Sequence, residues 1–325
     1  MAADGSKSRV LVTGASGFIA AHCVYQLLDR GYKVRGTVRD PTDAKKTQFL
    51  RTCIRERVTI WSWSAPTSQR KTMGEEDDTI VDQAIKGNEH VLRAAIKEKV
   101  RRVVITSSAY AIFDGHPAAR YGAGSPPFTA DDWSIPERQG FYPKSKTLAE
   151  RRAWEISASD EAKATGLEGS RSDVIQRYLT AAFPGTPAMA YPIADVRDVA
   201  LAHVACLEGG PQVVGKRFPL GEEAIQLIDI ATTLKGEFGK YGYRVPTTRL
   251  PTFLAWLLSF CDKGVAQVLP ELGRRFSMDS SGAREILNIQ PRDFKQAAID
   301  QGYSLIKLGI VPNKGVPEEK LQLSL

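Results

Sequence analysis

The chain has 325 residues, of which 42% are hydrophobic and 25% are charged, and 44 basic against 37 acidic residues give a net charge of +7. This composition is that of an ordinary globular protein, and it excludes collagen-like, coiled-coil and wholly disordered chains. The charges are interspersed and no aromatic-flanked basic stripe occurs, so we expect no nucleic-acid partner and attribute the positive balance to binding of a phosphorylated cofactor.

Membrane and metal-binding signals are both absent from the sequence. The N-terminus lacks the pattern of a signal peptide, and the longest apolar stretch, Thr252–Cys261, is about half the length that a membrane span needs. We therefore expect no membrane association and a cytoplasmic location. The four cysteines stand far apart without a C-x-x-C pair, which predicts free thiols and no metal site; they are Cys23, Cys53, Cys206 and Cys261.

The first third of the chain alternates strand and helix patterns. Short apolar runs predict buried strands at Val10–Thr13, Val34–Val38, Val58–Trp63 and Val103–Thr106. Helical periodicity predicts helices at Phe18–Arg30, which Gly31 ends, and at Thr79–Lys97. Strand, helix and strand in this order form right-handed parallel βαβ units, so the fold class is α/β.

The strand signal weakens after a polar loop at residues 114–139 and a predicted helix at Tyr142–Ser157. Only Tyr191–Ile193 and Phe218–Leu220 are strand candidates before a mostly helical tail from Gln226. We predict a Rossmann-like, doubly wound parallel sheet in an NADP-binding domain at residues 1–165. Residues 166–325 are predicted to form a smaller, mostly helical substrate-binding part, from which 191–205 and 216–221 return to the sheet.

A glycine-rich turn lies between the first strand and the first helix. In T-G-A-S-G-F-I-A, Thr13–Ala20, the two glycines permit a tight turn and close approach of backbone N–H groups to a pyrophosphate, which the helix N-terminus favours. The predicted cofactor-binding residues of this turn are Gly14, Ser16, Gly17, Phe18 and Ile19. A plain strand-to-helix turn is the alternative interpretation.

The residues after the second strand favour NADP(H) over NAD(H). Where NAD-binding folds place an acidic residue, Arg39 offers a planar fork of donors to a 2′-phosphate, and Lys46 adds a point charge. The adjacent Asp40 weakens this interpretation, and Arg39 as a plain surface cation is the alternative.

A Y-x-x-x-K motif begins the helix after the polar loop. Tyr142 and Lys146 are neighbours on one helical face, so the ammonium should lower the pKa of the phenol from about 10 and let it protonate a carbonyl oxygen as hydride arrives. Ser108, at the end of a predicted strand, adds a hydroxyl at the carboxyl edge of the sheet. Tyr303–Lys307 matches the same pattern but has no such partner, and we interpret it as packing.

These segments together resemble a known family. VLVTGASGFIAAH, GYKVRGTVRDP, VITSSA, YPKSKTLAE and YPIADVRDVALAH are similar to the extended short-chain dehydrogenase/reductases, in the dihydroflavonol reductase-like branch that includes aldehyde and cinnamoyl-CoA reductases. The resemblance covers most of residues 9–312. It implies that Ser108, Tyr142 and Lys146 are catalytic: Ser108 bonds the substrate oxygen, Tyr142 protonates it, and Lys146 holds the nicotinamide ribose.

Three departures from the family pattern stand out. The residues before Tyr142, Arg138–Phe141, differ from the cinnamoyl-CoA reductase signature and disfavour a CoA thioester substrate. Two internal segments of the family look absent, near residues 61–65 and 168–170, and one of them contains the strand that lies beside the first strand in the family. Its loss would leave backbone groups unpaired. Alternatively, Val58–Ala65 takes that central place and the edge strand is forfeited.

We predict an NADP-dependent reductase of an aldehyde or ketone of moderate size and apolar character, acting as a monomer or homodimer on a small-molecule carbonyl or alcohol. The alternatives are a catalytically impaired splice variant or truncated gene model, and an NAD-dependent nucleotide-sugar epimerase/dehydratase, which Arg39 disfavours. In the C-terminal part, Asp195 or Asp198 is predicted to cap a helix, and His203 to face the core or an acid. Trp256 and its apolar neighbours are predicted to lie in the core.

Overall fold

The computed structural model describes residues 8–38, 40–43, 58–62, 78–159, 174–181, 185–260 and 269–321. The strands are β1 (Arg9–Val12), β2 (Lys33–Val38), β3 (Val58–Ser62), β4 (Ala190–Pro192) and β5 (Ala224–Gln226). The helices are α1 (Phe18–Asp29), α2 (Asp78–Lys97), α3 (Phe141–Ala158), α4 (Val174–Leu179), α5 (Val196–Glu208), α6 (Leu227–Phe238), α7 (Thr252–Ser259), α8 (Ser281–Glu285) and α9 (Phe294–Lys307). The chain has an α/β fold of Rossmann type, as predicted.

The first three strands form a parallel sheet in the order β1, β2, β3, with Val34 of β2 opposite Val10 and Val58. The bounds of these strands and of α1, α2 and α3 agree with the sequence prediction within one residue. Helix α1 buries the apolar stripe that its periodicity predicted, including Val24 and Leu27, against the sheet. It ends before Gly31, whose φ of 82° is the left-handed conformation that glycine adopts readily.

The prediction of a buried strand at Val103–Thr106 is wrong. Residues 102–108 form no strand and are only half-buried. A strand exists only through hydrogen bonds to a neighbour, and within the described ranges no strand pairs with this segment. Its Ile105 packs instead against α2 and α3.

The outer edge of β1 also lacks a strand partner among the described residues. Within the described ranges β1 pairs with β2 alone, and its Leu11 is 58% exposed, although the central strand of such a sheet is normally covered on both faces. The alternative in which Val58–Ala65 takes the place beside β1 is wrong, because β3 pairs with the far side of β2.

Two segments, residues 191–205 and 216–221, are predicted to return to the main sheet. The first reaches the core of that sheet through a helix, and neither adds a strand to it. Strand β4 pairs antiparallel with β5 in a separate two-stranded sheet, and residues 216–221 form no strand. Helix α5, capped by Asp195 as predicted, instead packs Val204 against the core that α1 makes with the sheet.

The C-terminal part has a core of its own between α4, α6 and α9, centred on Tyr178, Leu234 and Phe238. The expectation that the α7 region lies in the core is wrong, because Phe253 and Trp256 are exposed. Among the helices that the structure describes, none combines the length and apolarity of a membrane span. The described residues also contain no cluster of three or more His, Cys, Asp or Glu side chains suited to a metal ion.

Candidate active site

The glycine turn before α1 is held tightly against β2. The N–H of Ala15 donates to the Thr37 carbonyl at 2.8 Å, and the N–H of Gly17 donates to the Gly14 carbonyl at 2.7 Å. Gly14 has a φ of 59°, and a Cβ on Gly17 would lie 3.1 Å from the Gly14 oxygen. The positive φ favours glycine at position 14, and the close approach to the Gly14 oxygen favours it at position 17.

This turn fits a pyrophosphate. Gly17 is the N-cap of α1 and is exposed, and no side chain caps the helix. Helix geometry leaves the first N–H groups, those of Phe18 and Ile19, without intrahelical partners, and the helix dipole favours an anion there. Ser16 lies half-buried in the same turn. All five residues predicted for this part of the cofactor site thus lie together.

The residues predicted to hold a 2′-phosphate, Arg39 and Lys46, lie outside the described residues. The neighbouring Asp40 is described: its carboxylate accepts hydrogen bonds from the N–H and the hydroxyl of Thr42, at 2.8 and 2.6 Å. These two hydrogen bonds close a local turn at Asp40.

Tyr142 and Lys146 lie on successive turns at the start of α3, as the motif predicted. The Lys146 ammonium is 5.5 Å from the centre of the Tyr142 ring. Tyr142 is 37% exposed. The pair places a phenol ring and a cation next to each other on one face of α3.

Ser108 caps a short 3₁₀ turn, Ala109–Ala111. The turn follows residues 102–108, which pair with no described strand and are called the unpaired segment. Its hydroxyl oxygen accepts from the N–H of Tyr110 at 3.3 Å, which leaves the O–H free to donate. The ring of Tyr110 stands edge-on to that of Tyr142 with 6.0 Å between centres. The Ser108 turn and the Tyr-Lys helix therefore meet through Tyr110.

A half-buried carboxylate that the sequence did not point to contacts the hydroxyl of Tyr110. Glu271, in a 3₁₀ turn of the C-terminal part, accepts hydrogen bonds from the hydroxyls of Tyr110, at 3.0 Å, and Tyr191. Burial raises the pKa of Glu271, although the two phenols oppose the shift. This cluster holds the hydroxyl end of Tyr110, and 161 residues separate Tyr110 from Glu271 in sequence.

A second network missed by the sequence analysis lies beneath Ser108. Glu150, four residues after Lys146, is a buried acceptor for the Ser107 hydroxyl and for Arg217. The spacing Tyr142, Lys146, Glu150 was visible in the sequence as one residue per helical turn. Nothing in the sequence indicated Arg217, which reaches this network from the C-terminal part.

The ring of His203 contacts a hydroxyl and a backbone carbonyl, whereas the sequence analysis predicted that it faces the core or an acid. Its Nδ1 donates to the Val199 carbonyl at 2.7 Å, which leaves Nε2 to accept from the Thr106 hydroxyl. Burial lowers the pKa of His203 below its usual value of 6.5. The neutral ring ties α5 to the unpaired segment.

This histidine makes stability depend on pH. Because the unfolded chain binds a proton on His203 near pH 6.5 and the folded chain does so only at lower pH, the contribution of the neutral ring is complete above about pH 6.5 and falls as the pH drops below it. Urea unfolding from pH 7.5 to 5 should show this loss, with a slope from this group of at most about 1.4 kcal/mol per pH unit. The His203→Gln variant should have a shallower dependence, and an unchanged slope would show that His203 is not its source.

Comparisons with known proteins show which family the chain is similar to. Residues 10–171 match the NAD dependent epimerase/dehydratase family. Cinnamoyl-CoA reductase 2 of Arabidopsis thaliana is 30% identical over 266 residues, which cover 71% of this chain and 78% of that protein. Dihydroflavonol 4-reductase of Dianthus caryophyllus is 26% identical over 285 residues, covering 75% and 76%.

Solved structures show the same fold at lower identity. Yeast methylglyoxal/isovaleraldehyde reductase, solved as a complex with NADPH, superposes with a TM-score of 0.69 at 20% identity over 93% of this chain and 99% of that one. A nucleoside-diphosphate-sugar epimerase from Pseudomonas aeruginosa gives a TM-score of 0.65 at 18% identity over 91% and 95%. The chain belongs to the NAD dependent epimerase/dehydratase family, in the branch of the cinnamoyl-CoA and dihydroflavonol reductases.

Proposed function

We propose that this chain is an NADP(H)-dependent oxidoreductase that reduces an aldehyde or ketone to an alcohol. The observation that carries the proposal is the Tyr142–Lys146 pair on the exposed first turns of α3, with the Ser108 turn in contact through Tyr110. The relatives named as reductases support the same reaction class. The departure at Arg138–Phe141 favours a free carbonyl of moderate size over a CoA thioester.

Three residues of the chain have separate roles in this reaction. Ser108 donates its O–H to the carbonyl oxygen, which orients the substrate and polarises the C=O bond. Tyr142 gives its phenolic proton to that oxygen as the carbon is reduced. The Lys146 ammonium stabilises the tyrosinate that remains, and it would hold the nicotinamide ribose of the bound cofactor.

The glycine turn would hold the cofactor, which when bound supplies the hydride. The N–H groups of the first turn of α1 would bind its pyrophosphate, and Arg39 and Lys46 its 2′-phosphate. Arg39 in place of an acidic residue is also what disfavours an NAD-dependent epimerase. The Thr42 hydrogen bonds of Asp40 support the same preference, because they engage the nearby carboxylate locally.

Titration of the purified protein with NADPH tests the cofactor proposal directly. Saturation at about 100 times the dissociation constant should stabilise the folded state by about 2.7 kcal/mol, read as a rise in Tm, and should change NADPH fluorescence. The Arg39→Ala variant should weaken NADPH binding but leave NADH binding within about twofold, because only NADPH carries the 2′-phosphate. Equal weakening of both cofactors would contradict the assigned role of Arg39.

Two observations favour a second candidate, a catalytically impaired chain that retains the motif residues. Leu11 of β1 is exposed, and the segment before Ser108 has no strand partner within the described ranges. Such a chain would show neither thermal stabilisation nor a fluorescence change with NADPH. The titration therefore separates the two candidates.

A further inference from the structure

Among the residues that the structure describes, the segment that carries Ser108 has none of the ladder hydrogen bonds that usually position it. In a parallel sheet, a ladder on each side fixes a strand and the residue at its carboxyl end. Residues 102–108 pair with no strand in the part of the chain that the structure describes. The position of Ser108 therefore depends on side-chain contacts made by the segment.

One of these contacts is made to the helix that carries Tyr142. The hydroxyl of Ser107 donates to Oε2 of Glu150, and Glu150 lies on α3 one turn beyond Lys146. Glu150 is only 6% exposed. A buried carboxylate is stable only when donors surround it, and Oε1 accepts from Arg217 Nε at 2.6 Å and from Trp154 Nε1 at 3.2 Å.

Arg217 extends this network to the loop before α3. Its Nη1 donates to the carbonyls of Ala130 and Asp132 at 2.6 and 2.7 Å, and its guanidinium lies 4.1 Å from the centre of the Trp133 ring. Glu150 is therefore held by an arginine that is itself fixed, and its Oε2 accepts both from Ser107 and, at 3.4 Å, from Arg217 Nη2.

We propose that Glu150 is a positioning residue: it holds the Ser107 hydroxyl so that the next residue, Ser108, stays opposite Tyr142. The inference rests on the proposed reductase function for its kinetic consequence. Glu150 touches neither substrate nor cofactor in this role; it replaces, with one side-chain contact, part of the alignment that a strand ladder would give. Misplacement of a catalytic group by about 1 Å can lower a rate by about 100-fold.

The test compares Ser107→Ala, Glu150→Gln and the double variant. Ser107→Ala removes the contact with a minimal change in volume, and Glu150→Gln keeps one acceptor oxygen, so both should fold. We expect kcat to fall about 10- to 100-fold in Ser107→Ala and less in Glu150→Gln, with NADPH dissociation constants within twofold of the parent. The double variant should be no slower than the slower single variant, because both act through one contact.

Asp198→Asn is the matched control. Asp198 is also a buried carboxylate on a helix, bonded to the backbone N–H and the guanidinium of Arg292, but it does not contact the Ser107 segment. It should lower Tm while leaving kcat within twofold.

Hydrogen exchange supplies a readout that is independent of turnover. The amides of Ala111, Ile112 and Phe113 donate to the carbonyls of Ser108 and Ala109, and they should exchange faster in both Ser107→Ala and Glu150→Gln but not in Asp198→Asn. Unchanged exchange, or faster exchange with kcat unchanged in an active parent, would overturn the proposal. A parent without NADPH-dependent turnover would refute the reductase function, and exchange alone would then decide whether Glu150 holds the turn.

Discussion

Tyr142→Phe is expected to reduce carbonyl turnover by about 10² to 10⁴-fold, since it removes the proton donor and leaves the ring in place. The ring packs edge-on against Tyr110, and phenylalanine keeps this contact, so the fold and the glycine turn should be unaffected. The dissociation constant for NADPH should stay within about twofold of the parent. Steady-state kinetics and a fluorescence titration on the same preparation measure both quantities.

The chain contains its own control for this experiment. Tyr303 begins the second Y-x-x-x-K match, but its hydroxyl donates to Glu237 within the C-terminal part and its ring packs against Phe238. Tyr303→Phe should lower Tm slightly and leave kcat unchanged. Turnover retained in Tyr142→Phe would remove the assignment of Tyr142 as the proton donor.

The largest effect on stability is expected for Arg217→Met. Arg217 and Glu150 form a buried ion pair, with side chains only 11% and 6% exposed. Removing the guanidinium leaves the Glu150 charge without its cationic partner and removes the donors to Ala130 and Asp132. Breaking a buried pair in this way costs about 3 to 5 kcal/mol, which urea unfolding at pH 7.5 would measure.

Arg30→Met is the comparison for this variant. Arg30 bonds Glu208 at 2.7 Å, but both side chains are about one-third exposed, and such surface pairs contribute at most about 1 kcal/mol. Adding Glu150→Gln to Arg217→Met should recover part of the loss, because it removes the unpaired charge. If Arg217→Met cost no more than Arg30→Met, the buried network would not be holding the loop before α3.

Local patterns predicted the elements whose structure is local. The apolar positions of α1, the glycines that bound it and the strands on either side were readable from the sequence, because each depends on residues within about one helical turn or on the alternation of a single strand. The segment Val103–Thr106 has an equally apolar sequence but forms no strand. Its structure depends on a neighbour, and no property of its own residues reveals whether that neighbour exists.

The candidate site likewise contains residues that the sequence predicts and residues that it does not. Tyr142 and Lys146 were predictable because four residues along a helix return to the same face. The glycine turn was predictable because its residues are consecutive. Glu271 reaches Tyr110 across 161 residues, and Arg217 reaches Glu150 across 67. Side chains that meet only through tertiary folding leave no spacing in the sequence from which their contact can be inferred.

The open side of β1 has a consequence for handling the protein. Within the described ranges β1 has no partner strand on its outer side, and such an edge is a template on which another extended chain can add by backbone pairing. Association of this kind grows with concentration and competes with correct folding during synthesis. Dilute conditions and slow expression are therefore the regime in which a homogeneous preparation of this chain should be sought.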